Sequence, residues 1–218
     1  MTAPQGLPRL PPGRHGLPRD FVVQNQRDRL AAGIIAAVSE FGYHETTITQ
    51  IAAAAGVSRR TFYSYFDSKE ECFFATFDQI TDHLCAAARD AAAGEDEWPA
   101  QVAAKIAAAL EVFSANPQLA RFALAAPPRA GGEVIAYYRR ALDGALAGLT
   151  DGLPGGEAQR PSPAVQQSLI GGAVALIVQK LEAGEGERIR DLHPDLVELF
   201  LAPFVGRAAA AEVARQGS

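Results

Sequence analysis

The chain predicts an all-α fold, on three observations. Apolar residues recur every three or four positions in most segments. No segment alternates as a half-buried strand would. Gly, Pro, Ser and Asp interrupt the periodic runs where helices start and stop. With 48% hydrophobic residues among 218, there is enough apolar material to bury a sizeable core. The pattern divides the chain into an arm (residues 1–19), a compact three-helix unit (20–67) and a helical body (68–218).

Residues 1–19 are rich in Pro, Gly and Arg and have no apolar period, so they read as a flexible arm. Its arginines leave open either contacts to phosphates and a minor groove or a plain disordered tail. From about Asp20 to Phe41, Leu30, Ile34, Val38 and Phe41 recur at helical spacing, and Gly42 follows as a stop. Thr47-Ile48-Thr49-Gln50 has the form of a capping box that opens a second helix, 48–55. The small side chains at 52–55 admit a close neighbour, and Gly56 supplies a left-handed turn. Ser58 caps a third helix reaching about Tyr65, and Ser68 with Glu71 opens a long fourth one. That helix carries Phe73, Phe77, Ile80 and Leu84 on one stripe, fades at 94–97 and is expected to connect two domains. Further helices are predicted over 99–115, 117–126, 133–149, 163–181 and 194–214. Pro203 is expected to kink the last of these, since it donates no amide and its ring clashes with the preceding turn.

Charge is unevenly distributed. Residues 1–65 carry seven Arg against two Asp and two Glu, a net +3, which leaves −8 for the remainder of a chain whose formal total is −5. That asymmetry fits a nucleic-acid-binding module on a body that stays off nucleic acid. The longest apolar stretches, near 171–178 and 197–205, fall short of the roughly 20 residues of a bilayer span, and no signal-peptide core precedes them. A cytoplasmic protein without a membrane partner is expected. Cys72 and Cys85, thirteen residues apart on one helix, would lie about 20 Å from each other and form no bridge. His15, His44, His83 and His193 are scattered, and no glycine-rich phosphate loop is present, so neither metal, cofactor nor catalytic set is expected.

Two short helices joined through Ala55-Gly56-Val57 make a helix-turn-helix unit. The stretch 42–71, GYHETTITQIAAAAGVSRRTFYSYFDSKEE, closely resembles the DNA-binding signature of TetR-family regulators over about thirty residues. Ile48, Ile51, Val57, Phe62 and Phe66 are spaced to share one core and hold the reading helix. Arg59, Arg60 and Thr61 occupy the first turn of that helix, where an arginine pairs bidentately with guanine O6 and N7 or touches phosphates only. Family members often have glycine at the position of Arg60. Thr47, Tyr63, Tyr65 and Lys69 resemble the family's phosphate-clamping positions, while Thr47 and Ser58 also read as helix caps.

The resemblance implies that the body binds a ligand and dimerises. The segment after Pro163 is apolar nearly all round, which leaves open a partner subunit or ordinary core packing as its cover. Interface candidates are Leu169, Ala173, Leu176 and Ile177, with Leu196, Phe200 and Phe204 of the last helix. Two such helices per chain would form a four-helix contact across a two-fold axis. Two recognition helices then lie roughly 34 Å apart, which calls for a palindromic operator in double-stranded DNA. Candidate pocket aromatics are Trp98, Phe113, Phe122, Tyr137 and Tyr138, for each of which core packing is the stronger alternative. They imply an effector that is apolar or aromatic and otherwise unidentified. Three readings remain: a ligand-gated repressor, a DNA-binding protein without a ligand, and an all-α binding protein or enzyme with a vestigial helix-turn-helix.

Overall fold

A computed structural model describes residues 19–156 and 160–216, with side chains from residue 23 onward. The arm proposed for residues 1–19 lies outside the described residues, apart from the helix start at Arg19. The head comprises α1 (Arg19–Phe41), α2 (Ile48–Ala55) and α3 (Arg59–Tyr63), and α4 (Lys69–Ala92) leads into the body. The body continues with α5 (Trp98–Ala115), α6 (Pro117–Ala120), a π-helical turn Arg121–Ala125, α7 (Pro127–Ala130) and α8 (Gly132–Thr150). It ends with α9 (Pro163–Glu182), a 3-10 segment Gly186–Leu192, α10 (His193–Val205) and α11 (Arg207–Gln216). The described residues contain no strand, as the sequence predicts.

Gly33 determines how the head packs. A Cβ built there would lie 2.7 Å from the Ile51 carbonyl oxygen and 2.8 Å from the Ala55 Cβ, so α1 and α2 touch almost backbone to backbone. Leu30, Ile34, Ile51 and Phe62 are fully buried beside this contact. In the body α5 is central, packed on α4, α10 and the 3-10 segment. Fully buried Phe122 packs on α4, its ring 4.5 Å from that of Phe73.

Three expectations change. The stretch predicted as one helix over 117–126 is broken: the Ala126 amide bonds five residues back to the Arg121 carbonyl at 3.0 Å, a π turn between two short helices. The last predicted helix is two helices. It passes through Pro203 and breaks at Gly206, at φ 82°, after which α11 folds back so that Arg207 bonds Glu198 at 3.1 Å. Finally, α9 has 20 residues and is long and apolar enough to cross a membrane by length and composition. Counting only the unbroken apolar run missed this. Only Leu169, Ile177 and Leu181 of α9 are buried within the single chain.

Candidate nucleic-acid interface

The turn that presents α3 is built from local capping. Thr47 is extended and closes a capping box: its hydroxyl accepts from the Gln50 amide at 3.3 Å, and Gln50 Oε1 accepts from the Thr47 amide at 2.8 Å. Gly56 adopts φ 64°, ψ 34°, and the Val57 amide reaches back to the Ala52 carbonyl at 2.9 Å. Ser58 Oγ then accepts from the Thr61 amide at 3.0 Å and shares a 2.9 Å hydrogen bond with the Thr61 hydroxyl. Phe62, fully buried with its ring 5.8 Å from Phe66, anchors this five-residue helix.

Arg59 and Arg60 are therefore held at an exposed edge, and no ion pair reaches either among the described residues. Tyr63 is 48% exposed beside them, whereas Tyr65 is half-buried against the core. The Lys69 ammonium is engaged within the chain. It donates to the carbonyls of Tyr43 at 2.8 Å and Thr46 at 3.0 Å, with His44 at 3.4 Å, and lies 4.5 Å from the Tyr43 ring centre. It braces the loop between α1 and α2. The Tyr43 hydroxyl donates to Glu70 at 3.1 Å, and burial, then the Glu70 charge, raises its pKa.

Sequence reasoning missed Arg29. Its Nη2 donates to the carbonyls of Ala55 and Gly56, both at 2.8 Å, across 26 and 27 residues of chain. No local motif signals such a contact.

In the body the five candidate aromatics do not surround one space. Tyr137 packs 4.7 Å from Phe74 and donates to Asp78, Tyr138 meets Phe77, and Phe122 meets Phe73, all against α4. Trp98 lies apart, 5.3 Å from Phe204, its indole N–H donating to the Leu149 carbonyl at 3.2 Å. Phe113 is buried in the core. Two open clefts, of about 270 and 370 Å³, are lined by other residues, among them Asp143 and Gln167 in the first, Glu111 and Arg190 in the second. Of the interface candidates, Leu169, Ile177, Leu196 and Phe200 are covered within the chain, and Ala173, Leu176 and Phe204 remain partly open.

A short helix held by Gly56 and Ser58, joined through one long helix to an all-helical body, defines a helix-turn-helix protein of two parts. Residues 32–76 match the model of the tetR family of bacterial regulatory proteins. The HTH-type transcriptional regulator RutR of Escherichia coli (strain K12) is 35% identical over 104 residues, 47% of this chain and 48% of RutR. BetI of Serratia proteamaculans is 41% identical over 59 residues, 27% of this chain and 30% of BetI. The chain thus spans about half the length, or less, of the curated relatives it matches. Among solved structures, the fatty acid degradation regulator FadR from Bacillus halodurans superposes with a TM-score of 0.72 at 18% identity, over 84% of this chain and 96% of its own. FadR from Bacillus subtilis, in complex with stearoyl-CoA, superposes at 0.67 and 20% identity, over 82% and 98%. These likenesses establish the fold: an N-terminal helix-turn-helix and a C-terminal helical domain.

Proposed function

We propose that this protein is a sequence-specific transcriptional regulator that binds a palindromic operator as a homodimer. The observation that carries the reading is the pair of guanidinium groups of Arg59 and Arg60, without an ion pair among the described residues and exposed on the first turn of a helix whose turn and cap are fixed. An arginine so held discriminates guanine by two parallel hydrogen bonds, worth about 1–3 kcal/mol per base pair. Thr47, Ser58 and Tyr63 are exposed and Thr61 and Tyr65 partly so, and their hydroxyls suit phosphate oxygens.

The dimer reading rests on α9. Its open side carries Ala164, Ser168, Gly171 and Ala175 at spacings of three and four, a stripe of small residues that lets a second copy's helix approach closely. Leu176, Ala173 and Phe204, partly open in the single chain, flank it.

The finer reading adds an effector of apolar chemistry, a long-chain acyl group being the class that the B. subtilis FadR complex with stearoyl-CoA suggests. Coupling would run through α4. It begins at Lys69, six residues after α3 ends at Tyr63, and its Phe74, Phe77 and Asp78 meet Tyr137 and Tyr138 of α8. A ligand that parts α4 from α8 would move the head it carries. The packed aromatic contact favours a second reading, in which the protein binds DNA with no small-molecule effector.

Selection of bound fragments from a random duplex library at moderate salt tests the main proposal. Enrichment of a palindrome, relaxed by Arg59→Ala or Arg60→Ala, is expected. Absent enrichment, with binding indifferent to salt, would overturn it. Addition of stearoyl-CoA to the complex with the selected duplex separates the two readings: release favours the gated one, and unchanged affinity the ungated one.

A further inference from the structure

Among the described residues, Arg29 is a buried cation that pairs with no carboxylate. It is 9% exposed, and among the described residues its only hydrogen bonds go to the carbonyls of Ala55 and Gly56. Burying a charge is costly unless something offsets it. Here the offset is the negative end of α2, whose last carbonyls have no intrahelical partner. Ala55 closes α2 and Gly56 turns the chain, so one guanidinium fixes the two successive peptide planes that lead into Ser58 and α3. Gly33, one helical turn beyond Arg29, brings α1 onto α2 closely enough for this reach.

We propose that Arg29 is a positioning residue for the recognition helix. It sets the direction in which α3 leaves the turn, and so the register of Arg59 and Arg60 on the bases, without itself touching DNA. This rests on the DNA-binding reading above. Bidentate base contacts demand a fixed angle, whereas phosphate contacts tolerate displacement. Loss of Arg29 therefore lowers the affinity for the selected duplex and leaves the affinity for a scrambled duplex in place.

The test uses the full chain and the variants Arg29→Met and Arg29→Lys. Binding to selected and scrambled duplexes is measured across a salt series, well below each protein's unfolding midpoint. Arg29→Met is expected to reduce the selected-to-scrambled ratio about tenfold, on the order of one bidentate contact, with an unchanged salt slope. Arg29→Lys, which keeps the charge and one donor direction, is expected to recover part of the ratio. An unchanged ratio in Arg29→Met, even with a lowered midpoint, would make Arg29 merely structural and overturn the inference. So would a salt slope smaller by about 0.9, the mark of a lost phosphate contact. If Arg29→Met does not fold, Arg29→Lys and Arg29→Gln decide by the same ratio. Failure of the unmodified protein to select any duplex would instead overturn the DNA-binding reading, and this inference with it.

Discussion

Cys72 and Cys85 show how position on one helix separates two identical side chains. Cys72 is fully buried, and burial, eased by the Thr76 hydroxyl and reinforced by the Glu71 charge, pushes its thiol up to about 12. Cys85 is exposed. Alkylation at pH 8 is expected to modify one thiol per native chain, at Cys85, and two after denaturation; peptide mapping checks it. The same shift has a pH consequence. Below about 8.5 both folded and unfolded Cys72 keep the proton, and above it only the unfolded thiol releases it. Stability should therefore decline as pH rises from about 8.5 toward 12, and Cys72→Ala should flatten that slope in a denaturation series. Lys69 makes the parallel point for the site. Its donors are engaged by three carbonyls 23–26 residues away, so Lys69→Met is expected to destabilise the chain by about 1–3 kcal/mol. The salt slope of DNA binding should stay unchanged, where a phosphate-clamping lysine would lower it by about 0.9. Thr47 and Ser58, whose caps are made within three residues, were legible in the sequence; Lys69 and Arg29 were not, because their partners are distant in the chain.

Helix boundaries in the head follow from local chemistry, and the pairing of helices follows from side-chain size. Gly33→Ala would place a methyl 2.7 Å from the Ile51 carbonyl oxygen, facing backbone that cannot rotate away. The cost expected from overpacking is about 1–3 kcal/mol, read as a lower midpoint in urea. In an unconstrained helix the same change would stabilise slightly, so the sign of the shift reports the contact. The segment from Pro117 to Ala130 is the element least visible in the sequence. It is tied to the head through Ser39 Oγ on the Gln118 carbonyl at 3.0 Å and His44 Nε2 on the Arg129 carbonyl, also 3.0 Å. On its other side Arg121 donates to the Leu181 carbonyl at 2.8 Å, and Arg129 pairs with Glu182 at 2.9 Å. These contacts join three regions of the chain, and apolar period alone reports none of them.

For the whole molecule, the open apolar length of α9 is the feature that a single chain leaves unfinished. Ala175→Glu sets a charge on the exposed stripe without touching the chain's own core. Sedimentation is expected to show a monomer for this variant and a dimer for the unmodified protein, with weakened operator binding because two half-sites are no longer engaged together. A monomer in both would remove the dimer reading. By itself the sequence determined the all-α class, the two caps and glycine turn of the head, the exposed arginines and the start of nearly every helix, because these depend on contacts within a few residues. Only the tertiary structure decided that Lys69 and Arg29 brace the head from within and that the candidate aromatics pack against α4. It alone also broke the last helix at Gly206 and left one side of α9 uncovered. Each of these depends on which distant residues meet when the core closes, and local periodicity carries no record of that.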